Sequence, residues 1–149
     1  MKVLNFLGLR PLKSDVEFII WEVDDDLDGY VSKDEYLTMY KRVITDEVGL
    51  EPRQLYNLVQ FLMYDKDFEG TVTVEETLQL LYVRHGREKM EDEITNLFGE
   101  SKQIENDTEK HITYKEFMEK IQKRALLQHK ERMRVLKDGG IKKNNEDDD

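Results

Sequence analysis

The segment DDDLDGYVSKDE, residues Asp24 to Glu35, carries six acidic side chains among twelve residues. Carboxylates at this density either form a solvated turn or surround a cation, and their spacing distinguishes the two. A hard cation such as Ca²⁺ prefers about six to eight oxygen ligands at short range. Asp24, Asp26 and Asp28 occupy alternate positions, from which the side chains of one tight loop can converge on one ion.

The remainder of this first loop completes the pattern of a cation-binding loop. Gly29 stands at position 6, where the chain must turn sharply. The carbonyl oxygen of Tyr30 at position 7 is a candidate ligand, and Ser32 at position 9 can act through water. Glu35 at position 12 can close the site with both carboxylate oxygens. Spacing as well as acidity therefore predicts a metal site.

The segment DKDFEGTVTVEE, Asp65 to Glu76, repeats the same phase. It departs from the first loop mainly at Glu69, whose side chain is one methylene longer than that of aspartate. We expect this second loop to bind an ion as well. Its candidate ligands are Asp65, Asp67, Glu69, the carbonyl of Thr71, and Glu76.

A third segment, ENDTEKHITYKE from Glu105 to Glu116, departs further from this pattern. Glu105 replaces the first aspartate, and Lys110 replaces the turn glycine and adds a positive charge. We predict a loop that keeps the fold and has lost its ion. The three loops begin at residues 24, 65 and 105, which are 41 and 40 residues apart. A period of this length indicates one repeated supersecondary unit.

Apolar residues at helical spacing flank each loop, so the repeated unit is helix–loop–helix and the predicted fold class is all-α. We predict a paired lobe, a third degenerate unit and a C-terminal helix. The predicted boundaries are an N-terminal segment at 1–13, the paired lobe at 14–86, the third unit at 87–122, a basic helix extension at 123–137, and a disordered acidic tail at 138–149.

The first two loops resemble those of the EF-hand calcium-binding family, and the likeness covers about residues 14–122. It implies two calcium sites, with Mg²⁺ as a competitor. It also implies that loops join in pairs through a short antiparallel contact, with Tyr30–Ser32 beside Thr71–Thr73. The third unit then needs another partner: the N-terminal segment Val3–Leu12, another chain, or the first lobe.

Composition excludes several classes of function. The formal net charge of −10 disfavours nucleic acid as a partner, because phosphates would be repelled. There are no cysteines, which excludes disulfides, thiolate zinc sites and cysteine nucleophiles. The apolar runs are too short to span a bilayer, and we expect a cytoplasmic protein. The histidines His85, His111 and His129 are scattered, so we do not expect an enzyme.

Residues 120–137 carry seven basic side chains and one acidic one, unlike the acidic chain before them. This segment is either a solvated helix extension or a helix that docks on an acidic protein surface. Its apolar residues do not form a single stripe, which disfavours a helix lying on a membrane.

Three functions fit these features: a calcium sensor or regulatory subunit with a protein partner, a constitutive structural module, and a calcium buffer. The runs IIWEVDDDLDGYVSKDEYLTMYKR and GLEPRQLYNLVQFLMYDKDFEGTVTVEETLQLLYVRHG resemble small EF-hand proteins of cilia and flagella. That resemblance implies localisation to the ciliary or flagellar axoneme. It also implies a microtubule- or tubulin-associated partner, and a role in calcium control of motility or in stability of the cytoskeletal lattice.

Overall fold

A computed structural model describes residues 1–99 and 110–143. Within these ranges the chain is mostly helical, with one short two-stranded sheet, which confirms the predicted all-α class. None of the described helices is long and apolar enough to cross a membrane. The elements in chain order are α1 (Lys2–Phe6), α2 (Lys13–Trp21), α3 (Lys33–Ile44), α4 (Gln54–Tyr64), β1 (Thr71–Thr73), α5 (Val74–Phe98), β2 (His111–Thr113) and α6 (Tyr114–Lys143).

The first two loops lie between helices, as the sequence predicts. The first joins α2 to α3, and the second joins α4 to α5. Gly86 interrupts α5 with a φ of 73°, a left-handed conformation that glycine adopts without a steric penalty. The break falls where the sequence places the end of the second unit. The domain boundaries themselves stay a prediction.

Strand pairing differs from the prediction. β1 pairs antiparallel with β2, in the register Thr71↔Thr113, Val72↔Ile112 and Thr73↔His111. The predicted contact between Tyr30–Ser32 and Thr71–Thr73 is therefore wrong, because the second loop pairs with the third. Although the third loop has a degenerate ligand pattern, it retains the β-branched Ile112 that this contact requires.

Aromatic packing gives the physical reason for this choice of partner. The ring of Phe61 on α4 lies edge-on to the rings of Tyr114 and Phe117 on α6, with centroids 5.3 Å apart in both pairs. Tyr64 also meets Phe117 edge-on, at 6.2 Å. Such pairs stabilise by about 0.5–1.5 kcal/mol each beyond the area they bury. They join the helix before the second loop to the helix after the third.

Two cores result from this pairing. The larger one, called the main core here, joins the second and third units, and the smaller one packs Val23, which follows α2, and α3 against the first part of α4. The buried members of the main core are Leu4, Leu7, Phe61, Tyr64, Val72, Leu81, Ile94, Leu97, Phe98, Ile112, Tyr114 and Phe117. Those of the smaller core are Val23, Met39 and Val43, with Val31, Tyr36, Leu55 and Tyr56 packed against them.

Leu4 and Leu7 bring the N-terminal segment into the main core beside residues of the third unit. The third unit therefore packs against the N-terminal segment and against one half of the predicted first lobe, its second unit. At the other end of the chain, α6 continues through Lys143, past the predicted helix end at residue 137. The rest of the predicted tail, residues 144–149, lies outside the described part of the chain.

Candidate metal centre

The first loop brings its three aspartates together. Oxygen atoms of Asp24, Asp26 and Asp28 all lie within 4.8 Å of one another, a distance at which one cation can touch all three. Asp24 is buried, whereas Asp26 and Asp28 are exposed and face solvent. A cation can therefore approach from the open side and meet a preformed set of oxygen donors.

Main-chain hydrogen bonds hold this loop in shape. The N–H of Asp28 donates to Asp24 Oδ1 at 3.2 Å, and the N–H of Gly29 donates to Asp24 Oδ2 at 2.8 Å. Leu27 and Gly29 have φ values of 60° and 82°. A left-handed leucine is strained, whereas glycine accepts this conformation freely, which explains the glycine at the sharp turn. Tyr30 follows this turn, and its candidate ligand is the main-chain carbonyl oxygen.

Glu35 closes the loop from the first turn of α3. Its Oε2 accepts the N–H of Ser32 at 2.8 Å, and the Ser32 hydroxyl accepts the N–H of Glu35 at 3.2 Å. This reciprocal capping box fixes the start of the helix. Glu35 Oε1 accepts the N–H of Asp26 at 3.4 Å, so the carboxylate reaches across the loop towards the aspartates. All five predicted ligands of the first loop thus belong to one compact turn.

The electrostatics of the loop show competing effects on its carboxyl groups. The N–H of Asp28 lowers the pKa of Asp26, but desolvation, Asp24 and the charges of Asp28 and Glu35 together raise it above its ordinary value. The N–H of Ser32 holds the pKa of Glu35 below its ordinary value. A bound cation would reduce this mutual repulsion among the carboxylates.

The second loop has the same main-chain architecture. Asp65 is almost fully buried and accepts the N–H groups of Glu69 and Gly70, at 3.0 and 2.9 Å. Phe68 and Gly70 repeat the left-handed turn, with φ values of 53° and 81°. These contacts match the equivalent contacts of the first loop one for one. The second loop is therefore shaped as a cation loop by its main chain.

Glu76 is held as Glu35 is, but the carboxylates of the second loop converge less. Glu76 accepts the N–H of Thr73 at 2.9 Å, while Thr73 Oγ1 accepts the N–H of Glu76 at 3.3 Å. Within residues 1–99 and 110–143, the aspartates of the first loop alone form a trio of metal-binding groups within 4.8 Å. The carboxylate oxygens of Asp65, Asp67 and Glu69 therefore do not all lie within 4.8 Å of one another.

The third loop keeps structural parts of the pattern. Glu105, Asp107 and Glu109 lie outside the described residues. Thr113 and Glu116 form the same reciprocal capping contacts, at 3.0 and 3.3 Å. Lys110, which replaces the turn glycine, donates its ammonium to the carbonyl of Phe98 at 3.0 Å, at the C-terminal end of α5. Its charge serves to cap a helix, and this explains a lysine at that position.

The reciprocal contacts at the start of α3, α5 and α6 are not among the features predicted above from the sequence. They were present as a signal, because Ser or Thr is followed three residues later by Glu at Ser32, Thr73 and Thr113. This spacing is the ordinary mark of a capping box. The same glutamate therefore begins a helix and ends a loop.

The donor set of the first loop fits calcium. It offers carboxylate and carbonyl oxygens without nitrogen or sulfur ligands, which is the preference of a hard cation and not of zinc or copper. A model of the EF-hand domain pair matches residues 1–42. Over 117 residues, troponin C of Tyrophagus putrescentiae is 30% identical, and the match covers 78% of this chain and 73% of that protein. The chain belongs to the EF-hand calcium-binding superfamily.

Two further relatives agree with this assignment. Putative calmodulin-like protein 6 of Oryza sativa subsp. japonica is 30% identical over 116 residues, which cover 77% of this chain and 65% of that protein. Calcium-binding protein H of Dictyostelium discoideum is 30% identical over 89 residues, covering 60% of this chain and 51% of that protein. This EF-hand protein thus spans about two thirds of the first of these relatives and half of the second.

Proposed function

We propose that this EF-hand protein is a calcium-responsive regulatory subunit that binds a protein partner in a ciliary or flagellar axoneme. The observation that carries the proposal is the convergence of Asp24, Asp26 and Asp28 within 4.8 Å, in a loop that Glu35 closes. A bound calcium ion would offset part of the negative charge that these carboxylates bring together. The protein's own residues position the oxygens, and no catalytic step is involved.

An apolar surface next to the first loop supports a regulatory role. Phe18 and Trp21 stack with centroids 5.7 Å apart near the end of α2, and both are more than half exposed. With Leu27 they line an open groove of about 470 Å³ that also reaches Asp24 and Gly29. An ion that reshapes the loop therefore acts directly on an apolar surface suited to a protein partner.

The basic part of α6 supports a docking role. Its side chains from Gln122 to Asp138 are mostly exposed, and the helix continues beyond the main core. Arg124 pairs with Glu93 on α5, while Arg134 pairs weakly within α6 itself. The remaining basic groups are available to an acidic protein surface. The resemblance of the first two units to ciliary EF-hand proteins supports an axonemal location for such a surface.

Isothermal titration calorimetry with calcium tests the ion sites. The intact protein is expected to bind about two ions, one for each complete loop. Glu35→Gln is expected to remove the first site and Glu76→Gln the second, because each loses the closing carboxylate. Asp25→Asn is the matched control: it removes one acid from the same segment at a position not assigned to the ion. Absence of calcium binding by the intact protein would refute the proposal.

A constitutive structural module is the second candidate function. The hydrogen bonds from Asp28, Gly29 and Ser32 shape the first loop without an ion, which suits a protein whose form does not change. Apolar dye fluorescence with calcium and then with chelator separates the two functions. A calcium-dependent rise supports the regulatory subunit, and no change supports the structural module.

Co-sedimentation with salt-extracted axonemes tests whether the protein binds an axonemal partner. The double variant Lys130→Glu/Arg132→Glu is expected to reduce binding, because it reverses two charges on the exposed part of α6. The control is Lys41→Glu, which changes an exposed lysine on α3. Equal binding by both variants would contradict docking through α6.

A further inference from the structure

The first and second loops share a main-chain conformation from the turn to the helix start. Leu27 and Phe68 are both left-handed, as are the glycines two residues later. Ser32 has φ −75° and ψ 163°, and Thr73 has φ −96° and ψ 164°. The segment Tyr30–Ser32 therefore ends in the same extended conformation as β1.

The register of β1 and β2 has an approximate twofold symmetry. Val72 faces Ile112, and both residues stand at position 8 of their loops. On either side, position 7 of one loop faces position 9 of the other. A contact of this kind can be formed by two identical segments, and identical segments meet in an isologous interface. Applied to the first loop, this register places Tyr30 opposite Ser32 and Val31 opposite Val31 of a second copy.

Val31 has what such a contact requires. Within the described part of the chain, its main-chain N–H and C=O make no hydrogen bond. Its side chain is only partly buried, whereas its equivalents Val72 and Ile112 are 0% and 1% exposed. The first loop thus has a free edge at the residue where the other two loops are paired.

An exposed aromatic residue adjoins this free edge, and an apolar groove reaches to within two residues of Val31. Tyr30 is 75% exposed, and Leu27, Phe18 and Trp21 line or adjoin the groove that opens beside Gly29. Exposed apolar groups that adjoin an unpaired main-chain edge are typical of a surface that another chain covers.

We infer that two copies of this chain pair through Tyr30–Ser32, about a twofold axis at Val31, when their first loops hold calcium. Each copy brings the carboxylates of Asp24, Asp26, Asp28 and Glu35 close to the contact, so the loops repel one another without a cation. A divalent ion in each loop offsets half of that charge. The calcium dependence rests on the proposed function, whereas the pairing geometry rests on the observed register of β1 and β2.

Analytical ultracentrifugation of the intact chain tests self-association. Over a concentration series in calcium, the mass is expected to shift from 17.8 kDa towards twice that value. In chelator it stays at the monomer value. Glu35→Gln is expected to lose the shift in calcium, whereas Glu76→Gln keeps it, because that variant leaves the first loop intact.

A cysteine at the proposed axis tests the register. The chain contains no cysteine, so a disulfide of Val31→Cys can form only between copies. Paired residues of antiparallel strands have Cα atoms about 4.5–5.5 Å apart, within the range that a disulfide bridges. Val31→Cys is expected to form a covalent dimer under mild oxidation in calcium. The control Val48→Cys carries its thiol on an exposed loop away from the edge and is expected to stay monomeric.

The outcomes separate this inference from the proposed function. Calorimetric calcium binding together with a monomeric mass at every concentration overturns the pairing and leaves the proposed function standing. A calcium-dependent dimer in which Val31→Cys cross-links no faster than Val48→Cys overturns the register. An equal dimer in chelator overturns the calcium dependence. Loss of calcium binding by the intact chain overturns the proposed function itself.

Discussion

Substitution of Leu4 tests whether α1 is part of the main core or an appended segment. Leu4 in α1 and Leu7 directly after it are only 6% and 5% exposed, although the helix has just five residues. So short a helix is not stable alone in water, and packing must hold it in place. A turn at Gly8 ends it: the N–H of Leu9 donates to the carbonyl of Leu4 at 3.0 Å.

The expected magnitude follows from what the substitution removes. Leu4→Ala takes about three carbon atoms out of the main core, worth about 0.8 kcal/mol each, and leaves a cavity. Because α1 is short, it can detach from the main core, and the loss cannot exceed its docking free energy. We expect the free energy of unfolding to fall by about 2–3 kcal/mol. Val3→Ala, on the same helix but 44% exposed, is expected to change it by less than about 0.5 kcal/mol.

Urea denaturation in the presence of chelator, followed by circular dichroism, measures the free energy of unfolding of both variants by linear extrapolation. Hydrogen exchange of residues 2–9 then shows whether the loss is local to α1. Leu4→Met conserves volume and is expected to restore most of the stability. If Leu4→Ala costs no more than Val3→Ala, the packing of α1 in the main core is refuted.

Gly70→Ala and Gly29→Ala both force alanine into the left-handed region, at about 1–2 kcal/mol each. At Gly70 the new methyl group would lie 3.4 Å from the carbonyl oxygen of Phe6, an ordinary van der Waals distance, and at Gly29 it would meet no atom within 4 Å. Backbone strain therefore sets the cost at both positions, and the two variants are expected to lose similar stability in urea denaturation. The N–H of Glu51 and then the guanidinium of Arg53 hold the pKa of Asp46 below its ordinary value. A depressed pKa stabilises the fold above the unfolded value of about 3.9, and the stabilisation is lost as pH falls through the folded pKa. Asp46→Asn is therefore expected to lower the melting temperature near pH 7. The difference in melting temperature between variant and wild type is expected to narrow as the pH falls below 4. A difference that stays constant across this range would contradict the assignment.

Local patterns in the sequence predicted the repeated units well. Helix α3 begins at Lys33 because the capping box of Ser32 and Glu35 joins residues only three positions apart. The convergence of the first-loop aspartates also follows from local spacing, since all three belong to one turn. Metal binding by the candidate ligands of both loops, Glu69 included, stays a prediction.

Local sequence patterns do not predict which of the other loops each loop pairs with. Val31, Val72 and Ile112 stand at the same position of their loops, and all three are β-branched, so any two of them could pair. The sequence analysis paired the first two by chain order. That order is wrong here, because the choice depends on which flanking helices pack together across the chain.

The sequence by itself determined the helix–loop–helix units, the ligand spacing and the capping contacts that begin α3, α5 and α6, because these features depend on residues within a few positions of one another. Tertiary structure decided that the second and third loops pair and that α1 completes their core. The rings of Phe61, Tyr114 and Phe117 come from distant parts of the chain, and their packing leaves Val31 with a free edge. Which loops pair therefore depends on the difference in free energy between alternative arrangements of similar units. Contacts between residues far apart in the sequence set that difference.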